Sequence, residues 1–244
     1  MNDYGLAILL VLAYLIGATP TSYLAGRLGR RIDLRQHGSK NLGATNVYRV
    51  LGWAYAIPVA LIDLAKGAIP VVILGPWANG PAWFTVALGL AAVLGHIFSP
   101  YVGFKGGKGV ATAAGMFLAL APLAVLISIP IWIASLWLSG YVSVASLVVA
   151  VLFPVWVRLA APHEPYTFWA AVVLALIIVY SHRRNIQRLR DRTENRFRTR
   201  RGVGPTDDPT VRPSDPRRAS RSWAEGRGAP RSRTCSPGRV RSRP

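Results

Sequence analysis

Residues 110–138, VATAAGMFLALAPLAVLISIPIWIASLWL, run twenty-nine positions without one charged side chain. A helix crosses the hydrocarbon core of a bilayer in about 20 apolar residues. The stretch is therefore a membrane segment, and too long for one ordinary span. Pro122 and Pro130 interrupt it, and a proline inside a helix removes a hydrogen bond and clashes with the preceding turn. We place a break near Pro122, giving two helices; a single tilted, kinked helix is the alternative.

Working outward, further apolar segments fall at about 4–24, 53–75, 82–98, 142–160 and 168–181. Lys and Arg crowd the 25–52 loop and the C-terminal region, two lysines sit in the 99–109 loop, and the 76–81 connector has none. Basic loops stay on the cytoplasmic side, so these three regions share one face, which requires an odd number of crossings. Splitting 110–138 gives seven; otherwise 142–181 is re-entrant. The expected fold is all-α, a polytopic integral membrane bundle. The first segment, apolar from Leu6 to Ile16, lacks a basic leader and is followed by Arg27, Arg30 and Arg31, so it reads as a retained span with its N-terminus outside.

Composition agrees: 52% of the 244 residues are hydrophobic and 16% charged. The net charge of +19 is uneven, because residues 1–181 hold ten Lys and Arg against four acids and 182–244 hold nineteen arginines against six. Beyond about residue 198 the chain is rich in Arg, Pro, Ser and Gly and too poor in apolar residues to offset the entropy of ordering. We expect a membrane domain over 1–198 and a disordered basic tail over 199–244, touching anionic lipid rather than nucleic acid. The single Cys235 excludes an internal disulfide.

Immediately before residue 110 stands Gly103-Phe104-Lys105-Gly106-Gly107-Lys108-Gly109. Four glycines let backbone approach a ligand closely, two lysines add charge, and the helix that follows directs its positive end at the bend. Such a loop suits an anion. It is not the nucleotide-binding P-loop, which needs Gly and Ser or Thr where Val102 and Gly109 stand. A plain cytoplasmic connector is the competing reading. The first basic loop gathers Gly38, Ser39, Asn41, Thr45, Asn46 and Arg49, the donors of a phosphate and polyol site, or else of a solvated linker. Asp63 and Lys66 lie three apart inside the second segment, where an unpaired charge is costly, and form either a structural ion pair or part of a site. His96 precedes the glycine loop. His182 and Asn185 share a helical face at the end of the last segment, with Arg188 and Glu194 beyond. There is no Ser-His-Asp pattern, no cysteine nucleophile and no metal-ligand cluster, so chemistry must rest on positioning and electrostatics, without cofactor or metal.

Three ordered regions carry a family resemblance: Gly38 to Asn46 with Arg49; Gly103 to Thr112, led by Gly95-His96; and His182 to Leu189 with Glu194. Asp63-x-x-Lys66-Gly67 fits as well. Over residues 1–198 the sequence resembles the bacterial acyl-phosphate:glycerol-3-phosphate acyltransferases of PlsY type, membrane enzymes that make lysophosphatidic acid. The resemblance implies that Ser39, Arg49 and Lys108 hold the phosphate of glycerol 3-phosphate. Gly106, Gly107 and Gly109 would cradle the phosphate of an acyl phosphate through their amides, and His182 and Asn185 would complete the pocket. Gly38, Asn41, Thr45, Asn46, Lys105, Thr112, Arg188 and Glu194 would support phosphate binding. It further implies no conventional general base, contact with membrane lipid, a soluble enzyme that supplies the acyl phosphate, and a bacterial cell membrane with the motif loops and tail cytoplasmic. Leu42 stands where many relatives have proline, Ser99-Pro100-Tyr101 is shifted, and Arg190 and Arg192 replace the commoner Leu and Gly. A transporter would also use anion loops beside broken helices, but the spans carry almost no polar path. An Arg-tailed scaffold explains only residues 183–244.

Overall fold

The computed structural model describes residues 3–197. The expected disordered tail lies outside them. Among the described residues the regular secondary structure is all helix, with no strand. In chain order the helices are α1 Asp3–Ala18, α2 Thr21–Arg30, α3 Ala44–Leu51, α4 Trp53–Ile69, α5 Gly75–Ala78, α6 Ala82–Ile97, α7 Val110–Leu120, α8 Pro122–Ser139, α9 Val142–Ala160, α10 Pro165–Ser181 and α11 Arg183–Arg190.

The first segment, read as a span over about 4–24, is long and apolar enough to be one over 3–30, but it is not one continuous helix. Thr19 and Pro20 interrupt it, and α2 carries the run on to Arg30. Non-helical backbone at membrane depth needs partners from neighbouring elements. Here the Ser99 hydroxyl donates to the Ala18 carbonyl and Lys66 Nζ to that of Thr19 at 2.9 Å. A π-helical turn over Pro70–Leu74 likewise joins α4 to α5.

The break in 110–138 falls at Ala121, with Pro122 opening α8, where its missing N–H costs nothing. However, α7 is only 11 residues, about 16 Å at 1.5 Å per residue and roughly half the hydrocarbon core. Among the described residues, five helical runs are long and apolar enough to cross a membrane: 3–30, 53–78, 82–102, 122–139 and 142–160. The α10–α11 pair, bent by 52°, makes a sixth. Seven full crossings are therefore not what the helix lengths give.

Two backbone-to-backbone crossings fix the bundle. A Cβ on Gly67 would fall 1.9 Å from the Thr112 carbonyl oxygen and one on Gly115 1.9 Å from that of Leu64, so α4 and α7 touch at their main chains. Gly17 against Ala92 and Gly95 against Tyr14 do the same for α1 and α6. Helices in lipid gain little from burying apolar side chains, so such close approach supplies the contact. Outward-facing Leu61, Trp137, Leu138 and Leu176 remain exposed, as a lipid-contacting belt requires.

Candidate active site

The site is built where four elements end on one face. The 33–43 loop is folded by Asn46 at the start of α3. Its Oδ1 accepts the Ser39 amide at 2.8 Å, and its Nδ2 donates to the Leu34 and His37 carbonyls at 3.2 and 3.1 Å. Asn46 is buried and its amide is spent on the loop, so it shapes the site rather than offering donors to a phosphate. Gly38, with φ +61°, lies so close to that amide that a Cβ would meet it at 2.3 Å; it serves the same turn.

From the glycine loop, Lys108 reaches across to α11, where Nζ donates to Asn185 Oδ1 at 2.6 Å. Asn185 Nδ2 donates to Glu194 Oε1 at 2.6 Å, Ser143 Oγ donates to the same oxygen at 2.9 Å, and Arg188 Nε donates to Oε2 at 2.7 Å. Glu194 is thus the hub of the third motif. A carboxylate already facing these donors repels an anion, so Glu194 orients Asn185 and Arg188 and does not bind phosphate. Burial works to raise its pKa, and the hydrogen bonds from Arg188, Asn185 and Ser143 outweigh this and hold it below the usual range. Burial pushes the Lys108 ammonium down to about 8, with Glu194 opposing that and Arg188 and Arg49 reinforcing it. With one N–H on Asn185, two donors of Lys108 are left for a ligand.

The chain reaches Glu194 by doubling back after α11. Arg192, with φ +55°, turns it, Thr193 N–H closes on the Arg188 carbonyl, and Arg49 Nη2 then donates to the Asn195 carbonyl at 3.1 Å. Phe197 stacks on Tyr48, its N–H bonded to Gly140. His182 sits at the α10–α11 bend, buried, with Nδ1 donating to the Ile178 carbonyl at 2.8 Å, which leaves Nε2 as the nitrogen available to a substrate.

A cavity of about 450 Å³ joins these groups. Ser39, Asn41, Thr45, Asn46, Arg49, Lys108, Gly109, His182, Asn185, Arg188 and Glu194 line its polar head. An apolar arm continues between α7, α8, α9 and α10, past Phe117, Val125, Phe153 and Leu174. Five expected residues lie elsewhere. Gly38 is behind the loop, Lys105 is exposed, and Thr112 is buried against α4. The Gly106 and Gly107 amides donate back to the Ile97 and His96 carbonyls at 3.0 and 3.1 Å, so they cannot cradle a phosphate. These glycines are needed for close packing instead: a Cβ on Gly106 would lie 2.0 Å from the His96 carbonyl oxygen. Ser143, one polar residue in the first turn of an apolar helix, was not singled out from sequence, although its place at the head of a span is the signal that could have found it.

A bundle of membrane helices enclosing a cavity with a cation-lined head and an apolar arm defines an integral membrane protein with an amphiphilic cavity. Residues 7–192 match the family described as glycerol-3-phosphate acyltransferase. The chain is 42% identical over 223 residues to the glycerol-3-phosphate acyltransferase of Chlorobium luteolum, covering 78% of this chain and 95% of that one. Against that of Geobacter sulfurreducens it is 42% identical over 191 residues, covering 78% and 97%. Among solved structures it is similar to PlsY (YgiH), an integral membrane glycerol 3-phosphate acyltransferase. In the glycerol 3-phosphate form of that protein the TM-score is 0.74 at 38% identity, over 80% of this chain and 96% of that one. In its lysophosphatidic acid form the TM-score is 0.72 at 36% identity. The chain belongs to the PlsY-type glycerol-3-phosphate acyltransferase family.

Proposed function

We propose that this acyltransferase takes its acyl group from an acyl phosphate and, in phospholipid synthesis, forms 1-acyl-glycerol 3-phosphate and inorganic phosphate. The observation that carries the reading is one cavity with Lys108, Arg49 and Arg188 at its head and an apolar arm behind them. Both substrates are phosphate anions, and one bears a long chain. Ser39, Arg49 and Lys108 hold the phosphate of glycerol 3-phosphate, with Asn41 and Thr45 beside it. The acyl phosphate lies with its chain along the arm and its phosphate near the Gly109 end of α7 and Arg188. The glycerol hydroxyl oxygen attacks the acyl carbonyl carbon, and the bond from that carbon to the bridging oxygen breaks. The departing phosphate carries away the hydroxyl proton. His182 Nε2 and Asn185 orient the reacting groups. An acyl phosphate is already an activated anhydride, so orientation, able to supply about 7–11 kcal/mol, is the main demand on the protein.

In this reading the motif loops lie on the cytoplasmic face of a bacterial cell membrane, as their lysines and arginines support. The bonds of Phe197 and Glu194 to Gly140 and Ser143 hold the α8–α9 turn beside the third motif, which supports reading α7 and α8 as one excursion from that face and back. The donor would come from a soluble enzyme working at that face. Purified protein in detergent supplemented with lipid is expected to convert glycerol 3-phosphate and palmitoyl phosphate to lysophosphatidic acid and phosphate. Product from acyl-CoA or acylated carrier protein, with none from palmitoyl phosphate, would reject the donor assignment.

A further inference from the structure

Beneath the cavity head lies a group of charges that the reaction as described does not use. Asp63 on α4 is 1% exposed and pairs with Lys66 Nζ at 2.8 Å. Thr21, the first residue of α2, donates its hydroxyl to the same carboxylate oxygen. His96, near the end of α6 and also buried, brings Nδ1 to 3.8 Å from that oxygen. Its other edge is turned to the glycine loop: a Cβ built on Gly107 would fall 2.1 Å from His96 Nε2. The backbone doubles the contact, since the Gly107 amide donates to the His96 carbonyl at 3.1 Å. Lys108, whose ammonium faces the cavity, is the next residue. Asp63 and His96 themselves line the cavity.

Burying such a set inside a membrane domain is costly, and an ion pair alone would have been satisfied by Asp63 and Lys66. We infer that His96 is a positioning residue for glycerol 3-phosphate: packed between Asp63 and the glycine loop, its imidazole edge fixes Gly107 and thereby aims Lys108. The chain of contacts runs from the α1–α2 break, through Lys66 and Asp63, to His96, Gly107 and the ammonium. This inference rests on the reading of Lys108 as a phosphate ligand and is independent of the acyl donor.

Calorimetric binding of glycerol 3-phosphate to the purified full chain, with steady-state kinetics beside it, tests the idea without relying on the donor. His96→Ala is expected to weaken binding and raise KM by tenfold or more with a smaller effect on kcat, since misplacing a reacting group by an ångström can cost about 10²-fold. His96→Gln, whose amide reaches to where Nε2 stands, should recover most of the affinity. Where alanine does not hold the fold, His96→Leu keeps the volume and takes its place in the same comparison. Parent-like affinity in His96→Ala or His96→Leu overturns the assignment, as does a loss that His96→Gln shares in full. A Lys108→Ala chain that binds as tightly as the parent would defeat the ligand reading of Lys108, and this inference with it. A parent active only with another acyl donor leaves the binding comparison in force.

Discussion

Lys108 concentrates the electrostatics of the site in one side chain. Desolvation holds its ammonium near 8 rather than in the usual lysine range, so it is charged at neutral pH and sheds its proton just above it. The sign follows directly: the charged form binds the anion, so kcat/KM for glycerol 3-phosphate should be level below about pH 8 and fall about tenfold per pH unit above it. A profile flat to pH 10 would remove Lys108 from the anion site. At Arg192 the physics is conformational. Its φ of +55° is a left-handed backbone that costs an L-residue about 1 kcal/mol relative to glycine. Arg192→Gly should therefore leave activity intact and raise the melting temperature in detergent. A drop would mean that the arginine side chain does more than sit at a turn.

Among the elements, α4 and α7 depend most on absent side chains. Gly67 and Gly115 allow main-chain contact at the crossing that carries the glycine loop and Lys108. Gly115→Leu would push α7 away from Leu64 and should cost at least about 2 kcal/mol, with loss of activity and early melting. A fully active, stable variant would show that the crossing tolerates separation. The segment after α11 behaves as a strap. Glu194, Asn195 and Phe197 tie α11 to α3 and to the α8–α9 turn. Glu194→Gln keeps the shape but removes the charge that holds Arg188, and should lower activity through Asn185 and Arg188 while leaving the helices formed, as circular dichroism would report.

For the whole molecule, the cytoplasmic placement of the motif face is the decisive expectation. In a Cys235→Ser background, Lys105→Cys should react with an impermeant maleimide only from the cytoplasmic side and Asn79→Cys only from the opposite one. Labelling of both from one side would invert or break the topology.

Apolar runs and loop charge made the membrane class, the helical fold and the grouping of the three motif regions legible in the sequence, because hydropathy and the exclusion of unpaired backbone from lipid are local properties. The break at Pro122 was legible from the proline and the length of the run, whereas Thr19-Pro20-Thr21-Ser22 carried the signal for the break in the first segment and was read as part of one apolar run. Only the tertiary structure decided how the polar residues divide. Asn46, Gly106 and Gly107 spend their hydrogen bonds on the protein, Glu194 became an organiser, and Lys108 met Asn185 across 77 positions of chain. A residue type states which bonds a group can make. Which of them a substrate finds still open depends on partners brought together by folding.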